Sequence, residues 1–271
     1  MSMYRILLVN DDGFVSKGLP LTFRALQEVG EVTAVVPEVP KSGGGHSLTL
    51  HKPIFIRELQ IYGINIYVIN GTPVDAVHVA RSILKLNPDL VVSGVNIGEN
   101  TSIQNILYSG TVEAAIEAGL FGYPSLSFSA DISSDSAFED PKYAALARRV
   151  IIAASTYVLK HGWFEGVDCI SINIPSTYSP KGVVMARAQR LRFIQSYEKR
   201  VDPRGREYYW LVGKRITESG TDSYYLTEGY VVVTPLRSDL THPGLSGCIQ
   251  LPDKLHDFIR YLNEVLTNYR K

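Results

Sequence analysis

Residues 4–10 (YRILLVN) form a nearly unbroken apolar run ending in a turn residue, the pattern of a strand buried on both faces. Over 18–29 the apolar residues Leu19, Leu21, Phe23, Leu26 and Val29 share roughly one helical stripe. A second β-branched run, 31–36, is closed by Pro37. A β–α–β opening with short connections predicts a parallel sheet with a right-handed crossover. Short strand-like pieces follow at 48–50, 54–56 and 64–69. A helix is expected over 74–84, with Thr72 as its cap and Pro73 in its first turn. Further strands are expected at 90–95, 125–129 and 169–174, with helices at 111–120 and 142–160. The long helix shows Tyr143, Leu146, Val150, Ala154, Tyr157 and Val158 at helical spacing.

After Pro175 the pattern changes. Strands are expected at 183–189, 208–212 and 230–234 with no strong helix between them, and a charged turn lies at 199–206, centred on Asp202-Pro203-Arg204-Gly205. This predicts an α/β core over about 1–175 and a β-rich extension with a hairpin arm over about 176–271. A helix over 254–269 closes the chain. There is no internal repeat or low-complexity segment.

Composition adds little that is specific. The chain has 271 residues, 45% hydrophobic and 20% charged, ordinary for a soluble globular protein. Lys+Arg and Asp+Glu both total 27, so a charged substrate must be met by a local site rather than by a global field. Zero net charge mildly favours self-association. Cys169 and Cys248 fit no metal or redox spacing and read as buried thiols of a reducing compartment. The N-terminal run lacks a signal-peptide pattern and no segment is long enough to span a membrane, so a cytoplasmic protein is expected.

In open α/β sheets ligands bind beyond the carboxyl ends of the strands. Asn10-Asp11-Asp12-Gly13 follows the first strand, Ser42-Gly43-Gly44-Gly45 follows the second, and Asn96 ends the strand over 90–95. Tyr108-Ser109-Gly110-Thr111 opens a helix. Asp11 and Asp12 repel one another unless a proton or a cation intervenes. Mg²⁺ or Mn²⁺ suits carboxylate and neutral oxygens, which Ser42 and Asn96 could add; a turn with a helix cap is the competing reading of the acidic pair. Gly43, Gly44 and Gly45 offer unobstructed amides suited to an oxyanion, or simply a flexible loop. Ser109, Gly110 and Thr111 combine hydroxyls with a helix N-terminus, a phosphate-capturing arrangement that shares its features with a plain cap.

The six histidines show no paired ligand spacing, which argues against zinc held by imidazoles. His46, closing the glycine loop, is a candidate proton donor or a structural residue. The basic stretch from Arg187 to Arg206 is interleaved with acids and poor in stacking positions, so no stable nucleic-acid partner is expected. Receiver domains and haloacid-dehalogenase-type phosphatases also place acids after a strand. The first need a later phospho-accepting Asp, where Gly71-Thr72-Pro73 stands here; the second need an Asp where Gly13 stands. A non-catalytic nucleotide-binding module is the alternative from another functional class.

Taken together, ILLVNDDG (6–13), PKSGGGHSLTLHKP (40–53), NGTPVDAVHVA (70–80), PDLVVSGVNIGEN (88–100), YSGTVEAA (108–115), DPRGREYYW (202–210) and TEGYVVVTPLRSDLT (227–241) resemble the SurE family of survival-protein nucleotidases. The resemblance implies a single SurE-like domain over 1–271: a Rossmann-like three-layer α/β/α sandwich with a β-hairpin extension and C-terminal oligomerisation elements, forming a homodimer or homotetramer. It implies hydrolysis of nucleoside 5′- and 3′-monophosphates, in some members also of polyphosphate, with one Mg²⁺ or Mn²⁺ per subunit. Carried over by motif, the metal ligands are Asp11, Asp12, Ser42 and Asn96, with Asp11, Asp12 and Asn96 the catalytic set. Ser109, Gly110 and Thr111 hold the phosphate. Residues 101–107 (TSIQNIL) depart from the glycine and acidic residues that many relatives carry there.

Overall fold

In β1 (Arg5–Val9) Ile6 and Leu8 face one helical layer while Leu7 and Val9 face the other, which is why the strand shows no polar alternation. The structure is a computed structural model and describes residues 3–245 and 249–269. After β1 come α1 (Gly18–Gln27), β2 (Glu31–Pro37), β3 (Ile56–Ile61), β4 (Ile64–Ile69) and α2 (Pro73–His78), which runs on into a π-helical turn, Val79–Ile83. Then follow β5 (Leu90–Ile97), α3 (Ser102–Tyr108), α4 (Gly110–Leu120), β6 (Ser125–Ala130), a 3₁₀ turn (Asp135–Glu139), α5 (Pro141–His161) and β7 (Cys169–Ile174). The remaining elements are β8 (Val183–Met185), β9 (Phe193–Val201), β10 (Glu207–Arg215), α6 (Asp222–Thr227), β11 (Val231–Leu236) and α7 (Asp253–Tyr269).

One sheet holds the order β3-β4-β2-β1-β5-β6-β7-β11-β8. The six strands from β4 to β7 in that order are parallel, β3 and β11 run against β4 and β7, and β8 is parallel to β11. Leu19, Phe23 and Leu26 of α1 join Ala147 and Ile151 of α5 on one face. Ala76 and Val77 of α2 join Ala114 and Ala118 of α4 on the other. The result is the three-layer α/β/α sandwich. Each fully buried Leu, Ile or Phe of these faces contributes about 1.5–3 kcal/mol, and the central strands carry most of them, among them Leu8, Leu90, Leu126 and Phe128.

Local signals set the helix starts. Thr72 and Asp75 form a capping box that spans Pro73, Ser109 accepts from Val112 N–H at the head of α4, and Asp140 caps α5 just before Pro141. Cys169 is a buried free thiol, pushed up to about 12 by its burial, whereas Cys248 lies outside the described residues.

Several expected elements differ. Residues 48–50 are loop, because Thr49 N–H donates to Asp75 Oδ1 and Ser47 C=O accepts from the Thr72 hydroxyl in place of a strand neighbour. The expected strand over 183–189 shortens to β8, and the antiparallel hairpin is instead β9 with β10, paired from Phe193↔Arg215 to Val201↔Glu207. The turn at Asp202–Arg206 stands as expected, with Asp202 Oδ1 accepting from the Arg204 and Arg206 amides. α6 interrupts the stretch expected to lack helices, and β8 and β11 extend the main sheet. The chain divides into two compact units, Met1–Arg237 and Ser238–Lys271. The second is dominated by α7, where Leu255, Phe258, Ile259 and Leu262 share one helical face. Among the described residues no helix is long and apolar enough to cross a membrane.

Candidate active site

From β1 the chain builds β2 on one side and returns with β5 on the other, so a crevice opens beyond the carboxyl ends of β1 and β5. Asp11 and Asp12 sit directly after β1. Asn96 belongs to β5 just past a shift of register between Ser93 and Asn96 against β6. A cleft of about 240 Å³ is lined there by Asp11, Ser42, Gly43, Asn96, Tyr108 and Ser109, with Ile97–Asn100 and Asn105 completing it. Four separate stretches of sequence thus meet in one place.

Asp11 is only 3% exposed and lies at the head of α4, where the Thr111 hydroxyl donates to Asp11 Oδ1. Gly110 allows this approach: a Cβ there would stand 3.0 Å from Asp11 Cβ and 3.1 Å from Pro73 Cγ. The Asp12 side chain turns toward β5, its Oδ2 accepting from Ile97 N–H at 3.1 Å. Asn96 Nδ2 donates to Gly98 C=O at 2.8 Å, which turns its amide oxygen free of that bond. Ser42 is brought beside Asp11 because Lys41 N–H donates to Asp11 C=O at 2.7 Å.

The glycine loop differs from the expected row of free amides. Gly44 N–H donates to Lys41 C=O and Gly45 N–H to Tyr108 C=O, both at 3.0 Å, so of the three glycines Gly43 alone lines the cleft. Gly45 adopts φ +52°, and a Cβ on it would sit 2.7 Å from Leu107 C=O. Its glycine serves a tight turn docked on the junction of α3 and α4. The Thr111 hydroxyl is likewise engaged by Asp11, and Thr111 is fully buried.

Burial raises the Asp11 carboxyl above its ordinary value, against the hydrogen bonds from Thr111. Asp12 rises to about 7, first through burial and then through repulsion from Asp11. Two adjacent acids held by neutral donors, beside a hydroxyl and an amide oxygen, form a donor set that suits a hard divalent cation. Among the described residues no cluster of three or more His, Cys, Asp or Glu offers a metal site, so such an ion here depends on two carboxylates and neutral oxygens.

The sign of the Asp12 shift yields a test. Between the ordinary 3.8 and about 7 the folded metal-free protein keeps a proton that the unfolded chain has released. That contribution to stability is therefore lost as pH rises through about 7, and a cation replacing the proton would restore it. The rise in melting temperature on adding Mn²⁺ is expected to be larger at about pH 8 than at about pH 5. Equal rises at both would show that no cation displaces the Asp12 proton.

Sequence reasoning missed part of the wall. Glu99 lines the cleft and is paired with Arg192, whose Nε lies 2.7 Å from Glu99 Oε1, both side chains 3% exposed. Arg192 Nη1 also donates to Ile216 C=O and Thr217 Oγ1. Gln104 of α3 accepts from the Arg192 and Phe193 amides, joining the departing stretch 101–107 to the root of the β9–β10 hairpin. No local signal announces a pair 93 positions apart.

The geometry has counterparts among known proteins. The family model for survival protein SurE matches residues 6–195. A protein named 5′-nucleotidase SurE from Hyperthermus butylicus is 45% identical over 240 residues, spanning 87% of this chain and 85% of its own. One of the same name from Thermofilum pendens is 39% identical over 97% of this chain and 99% of its own. The crystal structure of the SurE protein from Aquifex aeolicus superposes with a TM-score of 0.75 at 36% identity, covering 91% of this chain and 98% of that one. A family model matched over more than half of the chain, and relatives at these identities along nearly all of it, establish that the chain belongs to the SurE family.

Proposed function

We propose that this chain is a divalent-metal-dependent phosphomonoesterase hydrolysing nucleoside 5′- and 3′-monophosphates to nucleoside and phosphate. Polyphosphate ends are a second substrate class within the same reading. One observation carries it: Asp11, Ser42, Asn96 and Ser109, drawn from four stretches of sequence, line a single cleft at the switch point of the sheet. The names of the relatives, 5′-nucleotidase SurE, support the same chemistry.

One Mg²⁺ or Mn²⁺ per subunit, held by Asp11, Asp12, Ser42 and Asn96, would supply neutralisation of charge at the phosphoryl group. The chain's own residues do the rest. Thr111 fixes Asp11. Ser109, which lines the cleft as the N-cap of α4, would meet the phosphate together with the positive dipole end of that helix and the Gly43 amide, with Gly110 and Thr111 packed behind it. Asp12 is less buried than Asp11 and has one carboxylate oxygen not used by Ile97 N–H. It is the residue to orient water and accept its proton as the water oxygen bonds to phosphorus and the bond to the ribose oxygen breaks, that oxygen taking a proton from solvent to leave as the nucleoside hydroxyl.

A homodimer or homotetramer belongs to this reading. A two-stranded ribbon is marginal alone, yet Tyr197, Tyr209, Trp210 and Leu211 of the β9–β10 hairpin are all more than half exposed. Such a surface suits burial against a second subunit.

The decisive test is phosphate release from a panel of 5′- and 3′-nucleotides and polyphosphate, with chelator and after restoring Mg²⁺ or Mn²⁺. Chelation should abolish release and either ion should restore it. Activity indifferent to chelator would overturn the metal-dependent reading, and metal-dependent binding of nucleotide without release would leave a binding module.

A further inference from the structure

His46 closes the glycine loop but does not line the cleft. Its ring faces α4: Nδ1 lies 2.6 Å from Glu113 Oε2, and Nε2 lies 2.7 Å from Glu117 Oε2. An ionised carboxylate only accepts hydrogen bonds, so a ring meeting one with each nitrogen carries both protons. The Glu113 and Glu117 side chains are 5% and 12% exposed, so the imidazolium compensates charge where water does so poorly. Glu117 Oε1 also stands 2.8 Å from His78 Nε2 of α2, at ion-pair distance without hydrogen-bond alignment. The bond to Glu113 acts most strongly on His46 and, together with Glu117, outweighs desolvation and lifts it to about 9.

The placement of this cluster gives it a mechanical consequence. Glu113 lies in the first turn of α4, the turn that also carries Ser109, Gly110 and Thr111. The loop is already tied by Lys41 N–H to Asp11 C=O and by Gly45 N–H to Tyr108 C=O. The Thr72 hydroxyl holds Ser47 C=O to the head of α2, and the contacts of His46 add an attachment to α4 made by side chains and by charge.

We propose that His46 is a positioning residue: as an imidazolium bridging Glu113 and Glu117 it clamps the glycine loop onto α4 and sets Ser42 and Gly43 against Asp11 and the first turn of that helix. The inference rests on the reading above that this loop serves a cation and a phosphate. It assigns His46 no contact with the reacting atoms. The notion of His46 as proton donor is replaced by one in which its protons hold the loop.

The test measures Mn²⁺ affinity by titration of the metal-free protein, alongside kcat, KM and melting temperature, in His46→Gln, His46→Arg and His46→Gln/Glu113→Gln. Residues that orient metal ligands typically contribute about 10–100-fold to metal affinity. His46→Gln should weaken Mn²⁺ binding by about 10-fold and raise KM for nucleotide, with kcat at saturating metal and nucleotide much less affected. Arginine offers a planar, permanently charged fork that can meet both carboxylates, so His46→Arg should recover most of the Mn²⁺ affinity. His46→Gln leaves Glu113 buried and unpaired; the double variant removes that charge and should regain melting temperature without regaining Mn²⁺ affinity. Unchanged Mn²⁺ affinity and KM in His46→Gln would overturn the clamp. So would recovery of Mn²⁺ affinity in step with melting temperature in the double variant. If the wild-type protein released no phosphate from any nucleotide, the functional reading would fail, while the Mn²⁺ titrations would still decide the role of His46.

Discussion

Asp12→Asn is expected to lower turnover by about a hundredfold to a thousandfold, the scale on which removal of one preorganised polar group from an active site acts, while the metal-free protein becomes more stable. The two effects share one cause. Asp12 is raised to about 7 by burial and by Asp11, so above that pH the metal-free fold holds two close negative charges. An amide in its place keeps an acceptor for Ile97 N–H and removes the repulsion. Under the proposed function the same change would also delete an anionic ligand and the acceptor for the proton of water. Melting curves of chelated protein at about pH 8 should therefore move up as turnover falls. A variant with wild-type turnover would contradict the role given to Asp12, and one with a lowered melting temperature would contradict the electrostatic account.

The second large effect concerns folding. Arg192→Ala is expected to cost about 3–5 kcal/mol, the usual consequence of leaving one charge of a buried pair alone. Glu99 would keep only the Thr101 hydroxyl at 2.6 Å, with the exposed Arg215 at 3.8 Å as a distant substitute. Glu99→Gln combined with Arg192→Met removes both charges and should lie within about 1–2 kcal/mol of wild type. Chemical denaturation of the three proteins decides the matter. A single variant losing less than about 1 kcal/mol would show that the pair is not what holds the wall of the cleft to the hairpin root.

What could be seen in the sequence was whatever a local pattern encodes. β1 and β5 were visible because burial on both faces leaves unbroken apolar runs, and residues at their ends then identified themselves as candidate ligands. Thr72-Pro73 announced α2 by cap chemistry. β9 was missed because both of its faces are exposed, so nothing imposes an apolar alternation on Phe193–Val201. α3 was missed because it spans seven residues and is held in place by bonds to the 189–193 segment rather than by its own stripe. The glycine loop was visible, but tight turns and anion cradles ask for the same residue. Only the partners of the Gly44 and Gly45 amides separate the two demands. His46 stood out by position, and its acids lie 67 and 71 residues away, beyond the reach of any periodicity.

The bond between Thr111 and Asp11 has a thermodynamic consequence under the assignment proposed above. One helical turn would face the phosphate with Ser109 and its positive dipole end and hold a metal ligand with the Thr111 hydroxyl, so the two occupants would not be independent. A cation on Asp11 favours an anion a few ångströms away, and by linkage the anion must favour the cation by the same factor. Affinity for inorganic phosphate should then rise with Mn²⁺ as much as affinity for Mn²⁺ rises with phosphate. The enzyme would hold product hardest when fully loaded with metal, which makes phosphate departure a candidate for the slow step of turnover.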